Sequence, residues 1–177
     1  ITMVDTMAKW RIMRPQVEET MLGYKEQGVI GAIAVSGHHG PTAVKMIQTG
    51  LIDVLMHPVG LDRAKAPEHL APVYAACQEQ GVGLVAMKAY AGGMLLNRQH
   101  SQATPVQCLH YVLSQPVATA AVGVQSADEV RAALDVIMGH YGVPPGEDGR
   151  YAYGEAALTN TLIIRIDVES LSGKENQ

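Results

Sequence analysis

Hydrophobic positions along the chain follow two alternating patterns, a helical spacing of three and four and short unbroken apolar runs, with glycine closing the helical stretches. Val17, Met21 and Tyr24 share one face of a helix predicted to follow Arg14-Pro15; Gly28 stops it, and residues 29–36 read as a strand. Pro41 opens a second helix through Val44 and Ile47 that ends at Gly50, ahead of a buried run over residues 52–56. Pro67 begins a third through Leu70, Tyr74 and Cys77, closed by Gly81 before a strand over residues 84–87. Thr104-Pro105 starts a fourth carrying Val106, Leu109, Val112 and Leu113, followed by a strand over residues 119–124. Ser126 and Glu129 form a capping box for a last helix with Val130, Leu134 and Ile137, terminated by Gly139.

Strands separated by helices of this length must run parallel, because a parallel neighbour needs a helical return, so the pattern predicts an α/β fold. An open doubly wound sheet and a closed (β/α)8 barrel both satisfy it. The repeat stops at Gly139. Residues 140–177 read as an irregular tail, with turns at Pro144-Pro145-Gly146 and Glu147-Asp148-Gly149, an edge strand where Leu162, Ile164, Ile166 and Val168 alternate with polar neighbours, and disorder over residues 170–177.

Composition narrows the function. A chain of 177 residues that is 47% hydrophobic suits one folded unit. Its net charge of −4, with 13 Lys and Arg scattered along it, excludes a nucleic-acid surface. The apolar runs over residues 29–35 and 117–124 are far shorter than the roughly 20 residues a membrane-spanning helix needs. Cys77 and Cys108 lack metal or redox spacing and read as reduced core thiols, which suits a cytoplasmic setting. The chain starts at Ile1 as if inside an element, so it is expected to be cut from something longer. His38-His39 and His57 are the one histidine cluster near strand ends; a metal site would want a further ligand and a second shell, and they read rather as substrate-pocket lining or ordinary loop residues. Asp62-Arg63 reads as a local ion pair, and Tyr24, Tyr74 and Tyr111 as packing residues on helix faces. Asp53, Asp62 and Glu68 near strand ends leave room for a different phosphate-binding α/β enzyme.

Four segments occur in an order that is informative together: residues 28–38, ending Val35-Ser36-Gly37-His38; residues 51–57, Leu-Ile-Asp-Val-Leu-Met-His; residues 81–88, ending Ala86-Met87-Lys88; and Gly123-Val124-Gln125-Ser126. This series resembles the second half of the aldo/keto reductases, over about residues 15–138. The stretch Trp10 to Pro15 is similar to a subgroup whose members can carry a C-terminal iron–sulfur motif, which this sequence lacks. The resemblance implies that residues 1–139 are the C-terminal half of a (β/α)8 barrel, from about strand 4 to helix 8, with the N-terminal strands missing.

The same resemblance implies the site. The family holds NADP, less often NAD, across the C-terminal strand ends and reduces small carbonyl compounds. Ser36 would touch the nicotinamide carboxamide, Met56 falls near a family glutamine, and Met87 stands where many members place an aromatic ring beneath the nicotinamide. Gly37 replaces the family's asparagine. Lys88, Tyr90 and Gly92, with Gly93, match the loop along the pyrophosphate, where glycines admit an anion and lysine supplies charge. Gly123, Gln125 and Ser126 open the last helix and would face a 2′-phosphate. The family's catalytic tyrosine, lysine and aspartate lie upstream of Ile1, and its histidine would fall in residues 1–7, where Thr2 or Met3 stands; no catalytic residue is assigned in this chain. The parent would be an NAD(P)H-dependent carbonyl reductase. The rival is a non-catalytic half-barrel that binds nucleotide or a partner chain, a second copy of itself included, to cover its open interior.

Overall fold

Polar caps and glycines set the ends of the helices in the computed structural model, which describes residues 1–124, 126–140, 142–149 and 151. Gln125, the alternating Leu162 to Val168 and residues 170–177 lie outside the described residues. The chain divides into two compact units, Ile1–Ile137 and Met138–Gln177.

The Thr6 hydroxyl accepts the Lys9 N–H at 3.2 Å and starts α1 (Met7–Gln16), so the first helix begins well before Arg14-Pro15 and carries Pro15 inside it. Proline offers no N–H to the carbonyl four residues back and crowds it. The helical register widens just beyond: Val17–Met21 is a π turn, closed by the Leu22 N–H on the Val17 carbonyl, before α2 (Leu22–Glu26) resumes. An extra residue in a turn rotates the remainder of the helix by about 100°. Tyr24 accordingly lies 47% exposed, not on the packing face with Val17.

Gly28, at φ +71°, ends the helix as expected, but the next N–H groups, of Val29 and Ile30, fold back onto the Tyr24 carbonyl. The strand expected from Val29 is therefore confined to β1 (Ala34–Ser36). Further along the chain come α3 (Gly40–Ile47), β2 (Val54–Pro58), α4 (Ala71–Gln80), β3 (Gly83–Met87), α5 (Pro105–Leu113), β4 (Thr119–Ala121) and α6 (Ala127–His140). Pro67 opens a short 3-10 turn, and α4 starts only at Ala71. Gly81 closes α4 in the left-handed conformation, its N–H on the Cys77 and Gln78 carbonyls. The Thr104–Gln107 capping box starts α5. β4 stops at Ala121, short of Val124, because its partner β3 ends at Met87 and the chain turns to positive φ at Lys88. α6 runs past Gly139 to His140; Gly142, at φ +70°, carries the turn instead, with its N–H on the Gly139 carbonyl and that of Val143 on Met138.

The result is a mixed α/β fold with one four-stranded parallel sheet in the order β1-β2-β3-β4. Residues 1–4 lie along the outer side of β1. The Ile1 ammonium donates to the Ala34 carbonyl, the Ser36 N–H to Ile1 and the Val4 N–H to Ser36. Met3, at φ +55°, forms a bulge whose N–H reaches the Ser36 hydroxyl at 3.0 Å. Lys9 folds back over this edge, its Nζ 2.8 Å from the Met3 carbonyl and 3.4 Å from that of Thr2.

Each crossover advances one strand in the same direction, and right-handed returns of that kind place their helices on one face. The burial pattern agrees. The rows Val35–Leu55–Leu84 and His57–Ala86–Ala120 face the helices, and all but Ala120 are buried. Val35, Leu55 and Leu84 join Trp10, Ile33, Met46, Ile47 and Val73 in one core; Ala86 joins Val59, Leu70, Tyr90, Cys108 and Val112 in another. The opposite rows, Ala34–Val54–Gly83, Ser36–Met56–Val85–Thr119 and Pro58–Met87–Ala121, enter neither core, and only Pro58 among them is buried.

Lys25 ties the first helical stretch to the sheet: its Nζ stands 2.6 and 2.8 Å from the two oxygens of Asp53, of which Oδ2 also accepts the Ile33 N–H. That ammonium, then the backbone N–H, holds the Asp53 carboxyl below its usual range. Asp53 thus precedes β2 and joins elements at the N-terminal end of the strands, which removes it as a strand-end catalytic carboxylate. Asp62 and Arg63 share the 3-10 turn Leu61–Arg63 without forming the expected ion pair; the ion pairs among the described residues are elsewhere.

Candidate functional site

In parallel α/β folds ligands gather where the strands end; a cavity of about 360 Å³ by Gly81, Gly83 and Pro116 opens at the opposite end of the sheet, and two others lie at the ligand-binding end. One is built on the loop after β3. Gly60, in the turn leaving β2, lies close under this loop: a Cβ there would stand 3.2 Å from the Lys88 carbonyl and would displace the Asp62 carboxylate. The Val59 N–H holds the Met87 carbonyl at 3.1 Å, so the β2 turn packs directly under the β3 loop. That loop coils tightly, with Lys88 at φ +58°, Ala91 at +50°, Gly92 at +67° and Gly93 at +92°. Left-handed conformations cost a side-chain-bearing residue about 1–2 kcal/mol, so strain is concentrated at Lys88 and Ala91.

Against this loop lies a cavity of about 330 Å³ lined by Lys88, Ala89, Tyr90, Gly92, Gly93, Gly123, Val124 and Glu129. The fold therefore brings together Lys88, Tyr90, Gly92 and Gly123. Their roles are not equal. Lys88 and Gly92 are exposed, and no atom would obstruct a Cβ at Gly92 or Gly123, so backbone and ammonium are open to a ligand. Tyr90 is buried in the second core; its hydroxyl has no hydrogen-bond partner among the described residues, and burial, reinforced by the Glu129 charge, pushes it up to about 12. Ser126 acts as the cap of α6, its hydroxyl accepting the Glu129 N–H at 3.2 Å, and does not line the cavity. Gln125 lies outside the described residues.

Ser36, Met56 and Met87 form a second group, on the helix-free face. Ser36 and Met56 are register partners, and Met87 stands one pleat further on in β3, opposite Pro58. The Ser36 oxygen already accepts the Met3 N–H, which leaves its own O–H to donate. At Gly37 a Cβ would strike the Val4 carbonyl oxygen at 2.6 Å, so any side chain at that position is barred by the close approach of residues 1–4.

The larger cavity, about 620 Å³, includes His38 and His39, in keeping with their reading as pocket lining. It is an open groove between the starts of α1 and α3, lined by Asp5, Thr6, Met7, His38, His39, Pro41, Thr42 and Lys45. Asp5 organises it. Its carboxylate accepts the His38 backbone N–H at 2.5 Å and faces His38 Nδ1 at 3.2 Å, and the first of these bonds does most to hold its pKa below the usual carboxylate range. Thr42 donates its proton to the Asp5 carbonyl, so its oxygen accepts from His39 Nδ1 at 2.8 Å. These contacts fix the orientation of both imidazoles, with Nδ1 of His38 toward the Asp5 carboxylate and Nδ1 of His39 toward the Thr42 hydroxyl. Residues 1–7 hold no histidine; the signal that would have found Asp5 is a carboxylate at the end of an apolar stretch facing His38 at the end of the next.

His57 does not join them. It is 1% exposed and turned toward the helices, with Nδ1–H donating to the Gly37 carbonyl at 2.8 Å. Burial lowers its pKa from 6.5 to about 4, so the ring is neutral at physiological pH. Among the described residues no group of three or more His, Cys, Asp or Glu is placed to hold a metal ion, and no helix is long and apolar enough to cross a membrane. Compared with known proteins, the chain matches no family model and no curated protein.

Proposed function

We propose that this chain is the C-terminal half of an aldo/keto reductase-like (β/α)8 barrel, and that the cavity beside Lys88 holds the pyrophosphate of NADP or NAD. The observation that carries the reading is the convergence of Lys88, Gly92, Gly93 and Gly123, from the ends of two different strands, on one cavity. Bare glycine backbone and one ammonium suit a diphosphate, and about 330 Å³ accommodates that part of a dinucleotide without the nicotinamide. The nicotinamide would then lie toward Ser36, Met56 and Met87, where a hydroxyl can donate to a carboxamide oxygen and a thioether can pack on a ring. Strand order supports the barrel over a doubly wound sheet, since nothing reverses along β1-β2-β3-β4. Carbonyl reduction belongs to the parent enzyme, and buried, unpaired Cys77 and Cys108 suit its cytoplasmic setting.

The test is calorimetric titration of the chain with NADPH and NADH. Binding that Lys88→Ala weakens about tenfold, the worth of one exposed phosphate contact, supports the cradle. A well-folded chain that binds neither nucleotide would sink it. Glu129 lines the same cavity, so NADH binding as well as NADPH would place the extra phosphate outside it. The sheet face that no described helix covers favours the rival, a half-barrel that engages a partner.

A further inference from the structure

We propose that Glu129 makes the cavity beside Lys88 a site for NAD and turns NADP away. The inference rests on the reading of that cavity as a dinucleotide cradle, and goes further by naming the cofactor. Strand order sets the direction of the ligand: Ser36, Met56 and Met87 stand on β1, β2 and β3, the Lys88 loop leaves β3, and Gly123, Val124 and Glu129 follow β4. A dinucleotide laid with its nicotinamide over the first three strands and its diphosphate against Lys88 and Gly92 has its adenosine ribose beyond them, at Gly123 and Glu129. The 2′ position of that sugar is where NAD carries a hydroxyl and NADP a phosphate.

The chemistry at that end suits the hydroxyl. The cavity lining offers one ammonium, Lys88, and one carboxylate, Glu129, and the diphosphate already calls on the ammonium. A carboxylate accepts a hydrogen bond from a sugar hydroxyl but repels a phosphate monoester, which brings close to two negative charges at neutral pH. Tyr90 adds a second condition. It lines the same cavity at 5% exposure, its hydroxyl has no hydrogen-bond partner among the described residues, and burial, then the Glu129 charge, keeps it protonated. A ribose hydroxyl both donates and accepts, so it answers Glu129 and Tyr90 alike; a phosphate dianion only accepts and has nothing to offer the carboxylate. The start of α6 gives the phosphate little compensation. The Ser126 hydroxyl takes the Glu129 N–H and the Ser126 carbonyl the Val130 N–H, and the first turn already sets Asp128 and Glu129 against the positive end of the helix dipole.

The experiment is calorimetric titration of the full 177-residue chain with NADH and NADPH, in the natural sequence and in Glu129→Gln, which keeps the backbone N–H that Ser126 caps. The expected result is NADH bound at least about tenfold more tightly than NADPH, the effect of one carboxylate on a nearby phosphate in a solvent-open site, with Glu129→Gln closing the gap by strengthening NADPH. ADP-ribose and its 2′-phosphate give a second measurement that needs no variant. Lacking the nicotinamide, they confine the comparison to the cavity, and the same preference for the unphosphorylated ligand is expected. Equal affinity for NADH and NADPH overturns the inference while the cradle stands, as does a preference that Glu129→Gln leaves unchanged or that disappears with the ADP-ribose pair. Binding of neither dinucleotide by a folded chain sinks the cradle and this inference together.

Discussion

Leu55 and Met56 are neighbours in β2 and close in volume, yet Leu55 is fully buried beneath the helices while Met56 stands partly open on the other side. The same holds across the sheet, with Leu84 against Val85 and Ala86 against Met87. Both faces are built from apolar residues, as in sheets enclosed on both sides. What separates them is supply of partners: α3, α4 and α5 deliver Ala43, Met46, Ile47, Val73, Cys108 and Val112 to one face, and no described element delivers anything comparable to the other. Hydrophobicity in a strand therefore states that a side chain needs cover and is silent on where the cover comes from.

The comparison breaks most directly by truncation on each side. Leu55→Ala should cost about 3 kcal/mol in urea unfolding and Met56→Ala less than about 1 kcal/mol, measured where the chain is monomeric. Equal losses would show the two faces to be equally packed. A loss of similar or slightly smaller size comes from pH, on the helix-covered side. The folded pKa of His57 is about 4 against 6.5 unfolded, so the unfolded chain binds the proton first. Stability is full above pH 6.5, falls by on the order of 3 kcal/mol as pH drops to about 4, and changes no further through this group. His57→Gln should flatten that part of the stability-against-pH curve; an unchanged slope would remove His57 as its source. The smallest effect contrasts two glycines. Gly37→Ala drives a methyl against the Val4 carbonyl and should cost about 2 kcal/mol, whereas Gly123→Ala meets nothing within 4 Å and should leave the thermal midpoint unmoved.

Much of the helix–strand order was legible because each boundary carries its own chemistry. Gly28 and Gly81 take the left-handed turns their positions suggest, and Thr104-Pro105 caps as its spacing implies. The errors come from effects that act at a distance along the chain. The first helix begins at Thr6, and Pro15 is absorbed by a π turn rather than starting a new element. β1 is shortened because Val29 and Ile30 are used to close the preceding helix, and β4 because β3 ends first. Of the site, the Lys88 loop and Gly123 come to one cavity, while Ser126 is taken up by a cap and Tyr90 by the core. Asp5 was missed for a related reason. Its importance comes from Ser36 and residues 1–4 lying side by side, a pairing that separates contacts by more than thirty positions and leaves no periodic mark.

Lys9 has a consequence for how the chain behaves in a crowded solution. Bare carbonyls along the rim of a sheet invite any extended segment to add itself as a further strand, and chains joined that way go on to form fibrils. An ammonium resting on the carbonyls of Thr2 and Met3 must be displaced before such growth can begin at this rim. Neutralising that one lysine, by acetylation or by substitution, would turn a protected border into a template.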